Sequence, residues 1–446
     1  MGQEEGGCVA DEAIHGYPSK SFFVDMLTRD IKVSDSILDL MDNSVDSAVS
    51  RSGVDVMTLL RGESVGKPLG EYLISLEYGE ERFRLVDNCG GITLEDARDR
   101  VFLMGNPRAN AAKGGLSVYG IGMKRAFFKL GNKIAFDSQT EDRYFELSID
   151  VRAWHDQGDD KWDFGIPKTG TARDGRSAGT EILIEELDAD VALHFALTAF
   201  VEDLEQRIAS TYALFLEAGL RVTVNGRAIG SALPDIGGEN VTPARAEFSF
   251  KGVDVLVVAG VTPKRDRVQR GTYVFCNGRM VLDTDRSRLT GWGDLLPQWH
   301  TKFGHFVGYL YFESDDVTLL PWTTTKQGVV YESAVYQKAL NELEIQAHPV
   351  LSFLTKVYPG EVEEAGIPER DALAKVGSIK ITEVHPGNAV FHVELPKPKP
   401  EHRQINIEFK KQAKDVDRIK KCIPHLKSNK DVGSYAFDYL LKKECQ

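Results

Sequence analysis

The residues best suited to chemistry lie between Ser34 and Ser50, S-D-S-I-L-D-L-M-D-N-S-V-D-S-A-V-S. Wound at 3.6 residues per turn, Ile37, Leu40, Met41, Ser44, Val45 and Ala48 share one face, and Asp39, Asp42, Asn43 and Asp46 share the opposite one. Ser34 is a suitable N-cap, and Asp35 sits well in the first turn. The stripe holds three carboxylates and a carboxamide with no Lys or Arg among them, and the carboxylates repel one another at i,i+3 and i,i+4 spacing. Hard oxygen ligands of this kind suit Mg²⁺, and a neighbouring carboxylate can orient a water. The alternative is an acidic, solvated helix face.

Two further stretches carry glycines where a ligand would need close backbone approach. Residues 72 to 87 alternate as two strands around a Gly-containing turn and run into D-N-C-G-G-I, Asp87 to Ile92. A lone Asp there can accept a hydrogen bond from an amino group in an apolar pocket, or cap a tight turn. A short helix is expected over Thr93 to Val101. A Gly/Asn/Ala-rich loop, Gly105 to Ser117, then leads into Y-G-I-G-M-K-R-A-F-F-K-L-G, Tyr119 to Gly131. Free amides at a helix start behind Gly120 and Gly122 make an anion site, with Lys113, Lys124 and Arg125 supplying charge nearby. There is no G-x-x-x-x-G-K-[ST], and the spacing does not fit a Rossmann unit. Strands are expected at Lys133–Phe136 and Tyr144–Val151. After a polar excursion from about Asp156 to Ala178, G-T-E-I-L-I-E-E-L opens a strand with Gly179-Thr180, where a Thr can bond a base edge or its water.

These elements sit in an ordinary globular composition: 446 residues, 42% hydrophobic, 27% charged. That length allows two or three domains. A net charge of −13 argues against nucleic acid coating the whole surface. The five cysteines are scattered without a C-x-x-C pair, which fits reduced thiols in the cytoplasm and gives no zinc signature. No apolar run approaches a membrane span, and the N-terminus has no signal-peptide core.

The ordered set of Asp39-x-x-x-Asn43 helix, D-N-C-G-G turn, Y-G-I-G helix start and G-T-E-I strand resembles the four boxes of the GHKL ATPases. These include gyrase B, MutL proteins, heat-shock chaperones, histidine kinases and MORC proteins. The resemblance covers residues 20 to 190 and implies an α+β Bergerat fold, helices on a mixed sheet, with ATP and Mg²⁺ as cofactors. By that resemblance Asn43 binds Mg²⁺ and Asp39 is the catalytic base. Asp87 reads the adenine amino group with Thr180 alongside. Gly91, Ile92, Tyr119, Gly120, Ile121, Gly122, Met123, Lys124, Lys113 and Asp46 complete the nucleotide site, and residues 105 to 118 form the lid. Two departures stand out. The usual base is Glu, and Asp39 is one methylene shorter, with Asp42 a nearby alternative. The first glycine of D-x-G-x-G is Cys89. Both leave slow turnover, or binding without hydrolysis, open.

Downstream, a helical pattern runs from Phe200 to Gly219. Asn-Gly hairpins follow at 222–229 and 273–282, with strands at Phe248–Ala259 and Gly304–Phe312 and the loop Leu320 to Val329. This is similar to the S5-like transducer domain of the MutL, gyrase B and MORC group, in which a loop lysine touches the γ-phosphate; the matching residue is Lys326. The expected domains are 1–190, 191–358 and 359–446. The last comprises a linker and a strand-helix-helix unit with eleven Lys/Arg against seven Asp/Glu over residues 401–446. The strand would hold Ile405, Ile407 and Phe409, an order similar to ribbon-helix-helix units, and joins either the transducer sheet or a second chain. The function expected is an ATP-gated homodimeric clamp or switch, acting on DNA or a partner effector. The alternatives are a nucleotide-sensing scaffold with little turnover and a chaperone-like ATPase.

Overall fold

A computed structural model describes residues 19–63, 66–105, 115–117, 120–158, 161–233, 235–263, 270–359, 367–396 and 407–444. The acidic stretch is a helix, Val33–Ser52, which begins one residue before the expected cap. Lys32 precedes it without a side-chain cap, and Ser34 instead accepts from Arg207. The helix ends where Gly53 turns left-handed at φ 66°, a conformation glycine adopts without a Cβ penalty. It is buried on both sides. Ile37, Leu38, Met41 and Val45 are in the core, and so are Asp39 and Asp42.

The helix lies beside helix Gly122–Leu130, which packs in turn on an eight-stranded mixed sheet. In spatial order the strands are Lys168–Thr171, Arg143–Asp150, Gly131–Gln139, Gly179–Leu187, Arg82–Asp87, Leu73–Tyr78, Arg221–Val224 and Arg227–Ile229. Neighbours are antiparallel except Leu73–Tyr78 and Arg221–Val224, which run parallel. Apolar residues alternate along the central strands, with Ile74, Leu76, Phe83, Leu85, Ile134, Phe136, Ile182 and Ile184 all buried. The expected helix over 200–219 divides at Tyr212 into Thr198–Thr211 and Ala213–Glu217. The first Asn-Gly hairpin, at 221–229, joins this sheet and not the five-stranded one described next, so the sheet draws on residues beyond 190.

A five-stranded sheet follows, in the order Ala244–Phe250, Val253–Val261, Phe306–Glu313, Gly271–Cys276 and Arg279–Asp285, with helix Ala334–Val357 packed on it. The expected 248–259 strand is a hairpin that turns at Lys251-Gly252, both with positive φ. Residues 367–396 stay with this body: Gly377–Ile379 pairs with Ile236–Gly238, and His392–Val393 with Val241–Thr242.

Residues 1–396 form one compact unit and 397–446 another. In the second, Ala413–Cys422 and Asn429–Glu444 are helices. Over 407–412, the described part of the expected strand, the chain has no regular secondary structure, and Ile407 and Phe409 are exposed. Its first half, with Ile405, lies outside the described residues. No helix among the described residues is long and apolar enough to cross a membrane.

Candidate functional site

Between the acidic helix and the first sheet lies a cavity of about 660 Å³, within the range of small-molecule sites. Its lining includes Asp39, Asn43, Asp46, Asp87, Gly91, Ile92, Gly120, Ile121, Gly122, Met123, Lys124, Thr180 and Lys326. The fold thus gathers most of the residues singled out in the sequence, drawn from segments up to 287 positions apart. Lys113 and Tyr119, and most of the loop 105–118, lie outside the described residues.

At one end is Asp87, the last residue of its strand. Ser44 Oγ donates to its Oδ2 at 2.7 Å, and the amides of Cys89 and Thr180 donate to Oδ1 at 2.8 and 3.2 Å. Burial pushes its pKa up, against the pull of those three bonds. A carboxylate has about four acceptor positions, so Oδ2 keeps one for an incoming donor such as an exocyclic amino group. Thr180 Oγ1 lies 3.3 Å from Ser138 Oγ, which itself receives the Ile92 amide at 2.7 Å. Gly91 is left-handed (φ 67°), and a Cβ there would sit 2.0 Å from the Gln139 carbonyl oxygen. Only glycine fits this close approach.

At the other end the helix Gly122–Leu130 starts with no side-chain cap, leaving its first amides free for an anion. Lys124 is buried, its ammonium donating to the Val101 carbonyl at 2.7 Å and to that of Gly120. Burial lowers its pKa to about 8.

The acidic stripe is cation-free in sequence but not in space. Asp39 Oδ2 is paired with Arg125, whose Nε donates at 3.0 Å. Burial still raises the Asp39 pKa, opposed by Lys326 and Arg125. Asp42, the alternative base, does not line the cavity. Its Oδ1 accepts from Arg279 Nε at 2.9 Å and Tyr212 Oη at 2.8 Å, and its Oδ2 accepts from Lys326 Nζ at 2.6 Å. Burial opposes ionisation there, but Arg279 and Lys326 outweigh it and hold the carboxyl below its usual range. Asp46 faces the cavity yet is occupied by the Leu116 and Ser117 amides, the latter at 2.9 Å. Burial pushes its pKa up to about 6.

Asn43 donates from Nδ2 to the Asp39 carbonyl at 2.9 Å, and its Oδ1 accepts from Ser117 Oγ at 3.3 Å. Asn43 lines the cavity, and its Oδ1 keeps a second lone pair beyond the one that Ser117 occupies. Among the described residues no cluster of three or more His, Cys, Asp or Glu could hold a metal alone. The donor set therefore fits Mg²⁺ only in its usual manner with nucleotides, through one protein oxygen, phosphates and water.

Ser44, Ser138, Tyr212 and Arg279 were not anticipated as members of the site. Ser44 reads as an apolar-face residue, and nothing in the local pattern of the others signals a partner so distant in sequence.

Residues 31–171 match the family model described as Histidine kinase-, DNA gyrase B-, and HSP90-like ATPase. The match supports a GHKL-type ATPase domain with ATP binding over this stretch. No curated protein matches the chain.

Proposed function

We propose that this protein binds Mg–ATP in the cavity and hydrolyses it slowly, using closure of the loop at 105–118 and pairing of two chains as a molecular switch. The observation that carries the reading is the cavity's polarity. It runs from a buried acceptor, Asp87, to an uncapped helix start flanked by Lys124, all within the stretch that matches a GHKL-type model, and Lys326 joins the lining from outside that stretch. An adenine amino group suits one end and a polyphosphate the other.

In this reading Asp87 and Thr180 hold the base, the Gly122–Leu130 amides and Lys124 bind phosphates, and Asn43 offers the metal oxygen. Bound Mg²⁺ would neutralise phosphate charge beside three carboxylates. Asp39 takes a proton from the attacking water. Lys326 leaves Asp42 for the terminal phosphate, so ATP and ADP are distinguished by a cation from the second domain. That delivery favours a MutL-, gyrase B- or MORC-like layout over a chaperone, and the partner is DNA or an effector protein.

A second reading, nucleotide sensing with little turnover, is favoured by the Asp39–Arg125 ion pair, which occupies the base. Phosphate release at saturating Mg–ATP separates the two. Asn43→Ala tests both: it should abolish Mg–ATP binding with the fold intact, and a variant binding as tightly as wild type refutes the site.

A further inference from the structure

The second Asn-Gly hairpin does more than turn the chain. Asn277, at its tip, is 1% exposed and left-handed at φ 45°. Its Oδ1 accepts the Ser314 amide at 3.0 Å and its Nδ2 donates to the Ser314 carbonyl at 3.1 Å, within its own domain. The same Nδ2 also donates at 2.9 Å to the carbonyl of Gly115, which lines the cavity and begins a short described segment, 115–117. The next two residues of that segment, Leu116 and Ser117, give their amides to Asp46, and Ser117 Oγ bonds Asn43 Oδ1. The contacts form one chain: Asn277, Gly115, Ser117, Asn43. Gly278 is wedged beside Phe215 and Val56, where a Cβ would lie 2.7 and 2.8 Å from their side chains, so the tip cannot retreat freely.

We infer that Asn277 is a positioning residue of the nucleotide site, one that sets that segment and, through Ser117, the carboxamide of Asn43. The inference rests on the nucleotide reading above. It adds an input from beside the five-stranded sheet separate from Lys326, one that acts on the Asn43 oxygen proposed to meet the metal and not on the terminal phosphate. Partners that orient a metal ligand typically contribute 10–100-fold in affinity.

The other Asn-Gly hairpin supplies a matched control. Asn225 is also left-handed, at φ 47°, and its Oδ1 accepts the Tyr78 amide at 2.9 Å, away from the cavity. Glycine keeps both turns without strain. Calorimetric titration of the full chain with adenosine, and with ATP in the presence and absence of Mg²⁺, is the test. Asn277→Gly should lose about 10-fold in Mg–ATP affinity while adenosine affinity is unchanged, and Asn225→Gly should change neither. Hydrogen exchange without nucleotide should show faster exchange at Leu116 and Ser117 in Asn277→Gly alone. Asn277→Asp keeps the turn and the acceptor for Ser314 but loses the donor, and should repeat the loss if the glycine variant does not fold. Wild-type Mg–ATP affinity in the Asn277 variants, or equal losses for adenosine and Mg–ATP, overturns the inference. A wild-type chain that binds neither ligand overturns the nucleotide reading and this inference with it.

Discussion

Lys326 Nζ donates to Asp42 Oδ2 at 2.6 Å, joining two residues 284 positions apart across the boundary between the two sheets. The contact is buried, and Lys326 holds a left-handed φ of 55° to make it. Asp42 keeps Arg279 as a second cation, and Arg279 also donates to the Lys326 carbonyl at 2.8 Å. The lysine can therefore leave without stranding a bare buried charge, which a sensor of the terminal phosphate requires.

Lys326→Ala should accordingly fold, at a cost of about 2 kcal/mol for a charged hydrogen bond. ATP hydrolysis should be lost while ADP affinity stays at the wild-type value. Titration with both nucleotides checks this. Equal losses for ADP and ATP would assign the lysine to folding alone.

Asp39→Asn preserves shape and removes the proton acceptor. Turnover should fall on the order of 10²–10⁴-fold, with Mg–ATP affinity little changed. Arg125 then faces a neutral amide, so the variant should also lose some thermal stability. Single-turnover measurements separate the two effects. Undiminished hydrolysis would remove Asp39 from the chemistry, and Asp42, held by Arg279 and Lys326, is poorly placed to replace it.

Much of the eight-stranded sheet and its helices was legible because their signals are local. Alternation along residues 72–87 and the glycines before helix Gly122–Leu130 report local geometry, and both elements formed as expected. What could not be read was pairing across the fold. The acidic stripe looks cation-free because Arg125, Arg279 and Lys326 arrive from elsewhere. Hairpin 221–229 has the same turn chemistry as 273–282, so nothing local says that it completes the first sheet. For the strand expected near Ile407, alternation proposes a buried face, but a ladder also needs a partner edge, and the sequence does not name that edge.

Glu313 gives a pH prediction at the junction of the two sheets. It ends the strand Phe306–Glu313 and accepts the amides of Val56 and Met57, at 3.3 and 2.9 Å. Burial pushes its pKa up to about 7, with Asp55 and Asp254 adding to the rise and the two amides opposing it. A carboxyl with a raised folded pKa binds its proton more tightly folded than unfolded. Its contribution to stability therefore falls as pH rises from about 4.5 to 7 and is level above that. Glu313→Gln should flatten that slope, on the order of 3 kcal/mol at full effect. Denaturant melts at pH 5 and pH 8 test it, and an unchanged slope in the variant would place the titration elsewhere.

The last prediction concerns the pairing of two chains. If ATP gates dimerisation, the switch belongs to the unit that holds the cavity, residues 1–396, and not to the tail. A tail-driven dimer of the ribbon type needs a strand, and residues 407–412 carry none. The tail still offers apolar surface: Tyr435, Phe437, Tyr439, Leu440 and Leu441 on helix Asn429–Glu444 are all exposed. Such surface adds contact area once two chains are close, but the residues that line the cavity all belong to the first unit. A chain ending at Pro396 should therefore still dimerise with a non-hydrolysable ATP analogue, with a somewhat weaker dimer constant than the full chain, and should remain a monomer with ADP. Sedimentation velocity of both chains with each nucleotide measures this. A truncated chain that stays monomeric with the analogue while the full chain dimerises would make the tail the primary interface and reverse the ranking.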